Sequence, residues 1–414
     1  MKNKQYEKKE VYKNTLDENK YSTEYIYSRN EVTYLNAISG KKQAQNYIHM
    51  NDIIVPIILK INDGVIYFAV QYKYIPACNK IFLELPAYSV LSQDNKEEYE
   101  LFTNKDIEYT INKTLEEKNL KRIYLKELSS NFEPVSQSFT DQMIKYVEIE
   151  VQNTNNIDNL NWYPINTIND LINRNDINMS IQTKYGLLLF SEKYKKEIEK
   201  IKPTKFHENK KIINEKFNNE DKEQKKVFEI YRFGIVEKYK IDKKILDLFK
   251  NNTIESVGSQ IVYATSKDSV QCILTKLENN KIMVGLSKQQ RSPFIPRQDV
   301  DEFFYENPAG LVEKGEIFEV AAKREALEET GIQINGKMHQ LSSKLLFSYG
   351  TEEMTEVYLA ELKDKFVQSK QELDEDESIS SLEWFNLKTL DIDKLHAPIA
   401  TKISLIMTKR FYNI

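Results

Sequence analysis

The chain has 414 residues, 40% of them hydrophobic and 29% charged, with 59 Lys plus Arg against 63 Asp plus Glu and a net charge of -4. That length exceeds what one hydrophobic core usually serves, so two domains are expected. The near-balance of charge excludes a general nucleic-acid or membrane-surface role, both of which need a basic excess, and no stretch has the apolar length of a membrane span.

Residues 1–45 lack a firm pattern and read as extra strands that build a pocket. Apolar, β-rich runs follow at DIIVPIILKI, GVIYFAVQY and IFLEL. A helix-period stretch comes next, then a strand at MIKYVEIEV and a second helix in MSIQTKYGLLLFSEKY. Residues 195–225 are polar and mixed in charge, which predicts a solvated linker. Residues 226–268 are as patternless as the first 45. The order then recurs: VQCILTKL, KIMVGLS and EFFYE, a helix, MTEVYLAEL, and a last helix in PIATKISLIMTKRF. Mixed strands with helices on both faces predict an α/β fold made of two α/β/α sandwich domains.

The recurrence extends to letters. LELPA (83–87) answers YENPA (305–309), LEEKNL answers LEETGI, and LSS (128–130) answers LSS (341–343). LNWYPINTINDL answers LEWFNLKTLDIDKL, and SIQTKYGLLLF answers PIATKISLIM, at offsets between 212 and 222 residues throughout. Five weak matches in one order at nearly one offset indicate a duplicated domain. The expected division is 1–194, a polar linker 195–225, and 226–414, with about ten extra residues in the first copy near 91–103.

Chemistry concentrates in the second copy, where residues 310–332 read GLVEKGEIFEVAAKREALEETGI. Phe318, Val320, Ala321, Ala322, Ala326 and Leu327 supply an apolar stripe for a helix. Glu325, Glu328 and Glu329 then share one turn, an arrangement unfavourable in a bare helix by a few tenths of about 1 kcal/mol per pair. A hard divalent cation with oxygen ligands reverses that sign, and Mg2+ or Mn2+ fits. Gly331 suits a left-handed residue after the helix, and the glycines at 310 and 315 suit a tight preceding loop. Read by itself, REALEE is an exposed acidic helix with an Arg324–Glu316 ion pair; the glycines and Glu316 at their spacings favour the metal site.

This segment resembles the Nudix box, G-x5-E-x7-R-E-U-x-E-E-x-G-U, with Gly310, Glu316, Arg324, Glu325, Glu328, Glu329 and Gly331 at the fixed positions and Ala326 at a position usually bulky. The resemblance implies two tandem Nudix-fold domains and a metal-dependent hydrolase. In it Glu325 and Glu329 are the main metal ligands, assisted by Glu328 and the carbonyl of Ala309, and Arg324 orients the glutamates through Glu316. Metals bridging a diphosphate would neutralise its charge and activate a water. The resemblance also places the general base in an acidic loop, here QELDEDESISSLEW, where Glu375 and Glu377 are candidates.

NPAGLVEKGE and KQQR (288–291) are similar to segments of the ADP-ribose and nucleotide-sugar branch, which assigns Arg291 and Gly310 to substrate binding. Asn307 replaces that branch's usual leucine, and SYGTEE lacks its proline-containing loop, with Tyr349 available to stack on a base. The implied reaction is hydrolysis of a nucleoside diphosphate linked to another group, ADP-ribose (to AMP and ribose 5-phosphate) or a nucleotide sugar. The alternatives are a nucleotide or ADP-ribose sensor and a housecleaning hydrolase of nucleoside triphosphates. By letter offset the first copy pairs Lys113 with Glu325, Asn112 with Arg324, Asn104 with Glu316, Asn119 with Gly331, and Asn153 and Asn155 with Glu375 and Glu377, so it is expected to be silent. Homodimers of that branch share N-terminal strands, which implies that the two copies form an intramolecular pseudo-dimer. Two distant cysteines, Cys78 and Cys272, read as buried thiols of a reducing compartment, and the polar start MKNKQYEKKEVYKN is no signal peptide, so a cytoplasmic location is expected. Four histidines without zinc spacing make zinc chemistry unexpected.

Overall fold

The computed structural model describes residues 6–13, 28–49, 51–75, 78, 80–90, 102–117, 120–135, 140–152, 160–208, 225–231, 234–240, 260–264, 267–297, 299–342, 344–347, 353–363, 366–371, 373 and 379–414. Its helices are α1 (Asn104–Glu117), α2 (Ile168–Asn173), α3 (Ile181–Lys193), α4 (Lys195–Glu199), α5 (Phe318–Thr330) and α6 (Ile399–Phe411). No helix among the described residues is long and apolar enough to cross a membrane.

Two eight-stranded mixed sheets carry the architecture, and their strands correspond one to one. In the first, Ile53–Asn62 runs parallel to Met143–Val151 at the centre; in the second, Ser269–Glu278 runs parallel to Met354–Leu362. Every other pairing in the two sheets is antiparallel. The central strands show unbroken burial over their first seven residues, because a strand covered on both faces has no solvent side to alternate with. Each central strand then turns back through a two-residue hairpin with positive φ at both positions: Asp63 (50°) and Gly64 (74°), and Asn279 (50°) and Asn280 (58°). Two three-stranded antiparallel sheets accompany them, Tyr6–Lys13, Ser28–Leu35 and Lys42–His49, and Lys225–Tyr231, Gly234–Lys240 and Gln260–Ala264. They supply strands to both stretches that were patternless in sequence.

The halves meet along one continuous core. Ile57, Tyr185, Leu187 and Leu188 of the first belong to the same buried cluster as Ile273, Leu359, Ile403 and Leu405 of the second, with α3 packed on α6. Polar groups cross the seam as well. Arg297, 3% exposed, donates to both oxygens of Asp52 at 2.9 and 2.8 Å, to the Asp141 carbonyl at 3.0 Å, and to Asp299 at 3.0 and 2.6 Å. Lys402 on α6 reaches Glu133 of the first half at 2.6 Å, and Arg410 reaches Glu192 at 2.8 Å. The turn after Ser28–Leu35 also crosses, with the Ala37 amide donating to Gln290 Oε1 at 2.7 Å and Val32 and Tyr34 packed on Ile295.

Residues 195–208 of the expected linker are mostly exposed, and two side chains anchor them to the first half: Ile198 and Phe206 are buried, and the Phe206 ring lies 4.5 Å from that of Tyr163. Of the two cysteines, Cys272 is buried but Cys78 only half so.

Candidate active site

Strand Ala309–Leu311 lies against the start of the central strand of the second sheet, pairing Ala309 with Gln271 and Gly310 with Val270. The chain then turns through Gly315, with φ 85°, and enters α5. The helix packs on the sheet through Ala321, Ala322 and Ala326, all with no exposed surface; small side chains let its axis come close. Val320, expected in that stripe, is instead 48% exposed. The helix ends at Gly331, with φ 72° and its amide bonded to the Leu327 carbonyl at 2.7 Å. Any Cβ at Gly331 would meet the Ser369 carbonyl oxygen at 2.1 Å, so both conformation and contact demand glycine.

Packing that face inward carries Glu325 and Glu329 with it, leaving them 7% and 6% exposed. Glu329 Oε2 accepts from the Ala309 amide at 3.3 Å. Glu325 lies directly over Gly310, whose missing Cβ would sit 2.1 Å from the Glu325 carboxyl. Gly310 is thus the vacancy in the strand that admits a carboxylate. Burying two carboxylates this way is costly unless cations compensate them.

Arg324 provides part of that compensation. Its guanidinium donates to Glu316 through Nε and Nη2 at 3.1 Å each, to Glu325 at 2.7 Å, to Glu328 at 2.9 Å and to the Leu311 carbonyl at 2.9 Å. Glu316 in turn accepts from the Glu313 amide at 2.9 Å, so one arginine ties the loop, its strand and the helix together. The hydrogen bond from Arg324 holds the Glu316 carboxyl below the usual range. Beneath the glutamates is Cys272; burial, then the negative charges of Glu329 and Glu325, push its thiol far up, so it stays protonated and inert.

Among the described residues no three His, Cys, Asp or Glu side chains are grouped so as to hold a metal ion as they stand. The donor set nevertheless fits a hard divalent ion. It offers carboxylate oxygens only, from two buried residues one turn apart, and the space above Gly310 and Ala309 is open to Glu325 for lack of a side chain.

The other expected site residues distribute differently. Arg291 faces its own strand neighbour: Nε and Nη2 donate to Glu306 at 2.8 and 2.5 Å. Asn307 donates to Gln271 Oε1 at 2.9 Å, a buried amide pair in place of a leucine. Tyr349, Glu375 and Glu377 lie outside the described residues. The ends of their acidic segment are described, and Gln371 donates to the Glu329 carbonyl at 2.5 Å, a contact no motif announced.

In the first half the same framework carries different groups. Tyr88 occupies the position of Gly310, pairing with Ile54 as Gly310 pairs with Val270. On α1 the buried face presents Asp106, Thr110 and Thr114. Thr110 and Thr114 donate to backbone carbonyls four residues back, at 2.7 and 2.9 Å, and Asp106 is turned to the amide and hydroxyl of Thr103 at 2.7 Å each. Lys113, paired by letter offset with Glu325, lies on the exposed face; burial sets the correspondence, and it puts threonines where the buried glutamates are.

Residues 269–404 match the family profile of the NUDIX domain. Among solved structures the chain is similar to the NUDIX domain of Shewanella oneidensis NrtR, a cocrystal with ADP ribose, at 16% identity over 35% of this chain and 88% of that one, with a TM-score of 0.27. Comparison with curated proteins returns no match.

Proposed function

We propose that the second half is a divalent-metal-dependent pyrophosphohydrolase of the Nudix type, acting on a nucleoside diphosphate linked to another group. The reading rests on one observation: Glu325 and Glu329 are buried one turn apart, Glu325 over a glycine that has no Cβ to obstruct it, in the box-bearing stretch that matches the NUDIX profile. Residues NPAGLVEKGE and KQQR favour ADP-ribose or a nucleotide sugar as substrate.

Glu325 and Glu329, with Glu328 and the Ala309 carbonyl beside them, would hold Mg2+ or Mn2+. When bound, such an ion withdraws charge from the diphosphate and lowers the pKa of a coordinated water. Arg324 keeps the glutamate turn and the glycine loop in one geometry through Glu316 and the Leu311 carbonyl. A carboxylate of the acidic segment, Glu375 or Glu377, takes the proton of the attacking water. The water oxygen forms a new bond to one phosphorus, the bridging P–O bond breaks, and the products from ADP-ribose are AMP and ribose 5-phosphate. The first half, residues 1–194, serves as a fixed pseudo-dimer partner without turnover of its own.

A panel of ADP-ribose, nucleotide sugars and nucleoside triphosphates with Mg2+ tests this, read by chromatography of the products. E329Q is expected to lose about 10³-fold in kcat, the loss of several kcal/mol of charge stabilisation, with an unchanged melting curve. Full turnover by E329Q would remove the proposal, and tight binding of ADP-ribose without turnover by the wild type would replace it with a sensor.

A further inference from the structure

A cavity of about 670 Å³ opens at the seam between the halves, lined by Phe102, Glu133 and Lys145 of the first and by Asp301, His396 and Lys402 of the second. None of its described lining residues belongs to α5 or the glycine loop before it, so it is separate from the candidate active site. Five carboxylates line it against three lysines, and Arg297 divides its single charge between Asp52 and Asp299. His396 adds no charge. Its ring stacks on Phe304 with centroids 4.3 Å apart, Nε2 donates to the Asp301 carbonyl at 2.9 Å, and burial pulls its pKa down, which keeps the imidazole neutral at pH 7.

One oxygen in this wall is left over. Glu133 is 2% exposed, and its Oε2 pairs with Lys402 Nζ at 2.6 Å. Its Oε1 is buried with no hydrogen-bond partner among the described residues, an unfavourable state for a carboxylate oxygen. The fold does not ask for this acid. Ile144 and Thr355 pair with the first residue of each central strand, Ile53 and Ser269. Across from Ile144 stands Glu133, but across from Thr355 stands Leu345, 1% exposed and part of the shared core. Lys184, at the place on α3 that Lys402 has on α6, is satisfied by the Ile172 carbonyl of its own half. The framework thus closes with an apolar residue on one side of the seam and carries a buried acid on the other.

We propose that this cavity binds a small primary ammonium ion on an aliphatic chain, with the ammonium donating to Glu133 Oε1. Such a group brings three donors and one positive charge, which answers both the empty acceptor and the acidic excess of the wall. Phe132, Met143 and Leu395 offer apolar surface to the chain. A divalent metal fits worse, since it needs several oxygen ligands closed around it, and among the described residues no three acidic, histidine or cysteine side chains are so grouped. An anion would meet Glu133 as a like charge. Burial, against the pull of Lys402, pushes the Glu133 carboxyl up to about 7. The groups set around it are Lys402, Lys145 and Asp393, with the phenols of Tyr146 and Tyr185. A bound ammonium favours the carboxylate, so below that pH the ligand displaces the carboxyl proton and binds more weakly.

Calorimetric titration of the full chain with n-butylammonium chloride, at pH 8 and at pH 6, tests this. The expected result is saturable binding whose affinity falls by about tenfold between the two, because one proton must leave the carboxyl. E133Q keeps the size of the side chain and its bond to Lys402. It should weaken binding at pH 8 by about tenfold or more, the loss of a charged partner, and remove the pH dependence. Two changes at exposed positions report the sign of the ligand without touching the core: D301N should weaken binding and K394Q strengthen it, each by about threefold. Should E133Q not fold, this pair decides. The opposite pair of signs means an anion and overturns the proposal. So does tighter binding of Mg2+ or of tetramethylammonium, which has no hydrogen to donate, an unchanged affinity in E133Q, or no binding at about 20 mM butylammonium.

Discussion

The helices α1 and α5 occupy the same place on the same framework and bury the same kind of face, yet one carries threonines and the other carboxylates. The difference does not begin on the helix. Tyr88 fills the place that Gly310 leaves open, and an inward carboxylate above a tyrosine has neither room nor a cation to neutralise it. Without that vacancy, α1 spends Thr110 and Thr114 on its own carbonyls, which satisfies the buried hydroxyls locally and leaves nothing for a ligand. A strand residue thus decides what a facing helix can do.

The sharpest way to break this comparison is to close the vacancy. G310A places a methyl carbon where the Glu325 carboxyl lies, so the carboxylate must move by an ångström or more. Turnover of the proposed substrate should fall by about 10²-fold or more, since misplacement on that scale suffices; kcat of G310A at saturating Mg2+ checks it. Retained activity would show that Gly310 is incidental.

The seam gives a second contrast. Arg297 satisfies two acidic residues in a buried site between the halves. R297M leaves Asp52 and Asp299 without their counter-ion, and urea unfolding should show a loss of about 3–5 kcal/mol. If the transition instead splits in two, the halves fold independently, and the shared core contributes less than its continuity implies.

A smaller effect comes from the lysines at matching places on α3 and α6. Lys184 bonds within its own half, to the Ile172 carbonyl, and burial pushes its ammonium down to about 8. Lys402 crosses to Glu133, whose other oxygen has no hydrogen-bond partner among the described residues. Burial outweighs the pull of Lys402 and raises the Glu133 carboxyl from 4.5 to about 7. The folded chain therefore keeps a proton between those values that the unfolded chain gives up, so stability falls as pH rises through the window and levels off above it. Melting curves from pH 5 to 8 should show a drop of roughly 3 kcal/mol or less from this group, absent in E133Q. An identical slope in E133Q would assign the dependence elsewhere.

How far the letters reached can be judged from these residues. The spacing from Gly310 to Gly331 was legible because each position answers to a backbone or charge requirement, and the strand runs were legible because apolar and β-branched residues dominate them even where Lys145, Gln271 or Glu356 interrupts. The pairing of Lys113 with Glu325 failed because helix register follows the buried face, and three matching letters at the end of α1 outweighed it by eye. The partner of Arg291 was not legible: a neighbouring strand brings Glu306 within bidentate reach, a cross-strand contact no local spacing reveals. Gln371 was invisible for a related reason: its partners are backbone carbonyls, which leave no trace in side-chain identity.

The continuous core between the halves has a consequence for how such a protein behaves when scarce. Two separate subunits come apart on dilution, and whatever one lends the other is lost with them. In the proposed pseudo-dimer the two halves are joined by one chain, so their mutual concentration is set by a tether rather than by abundance. Specific activity should then stay flat down to nanomolar protein, and a cell could keep very few copies without losing the assembled form.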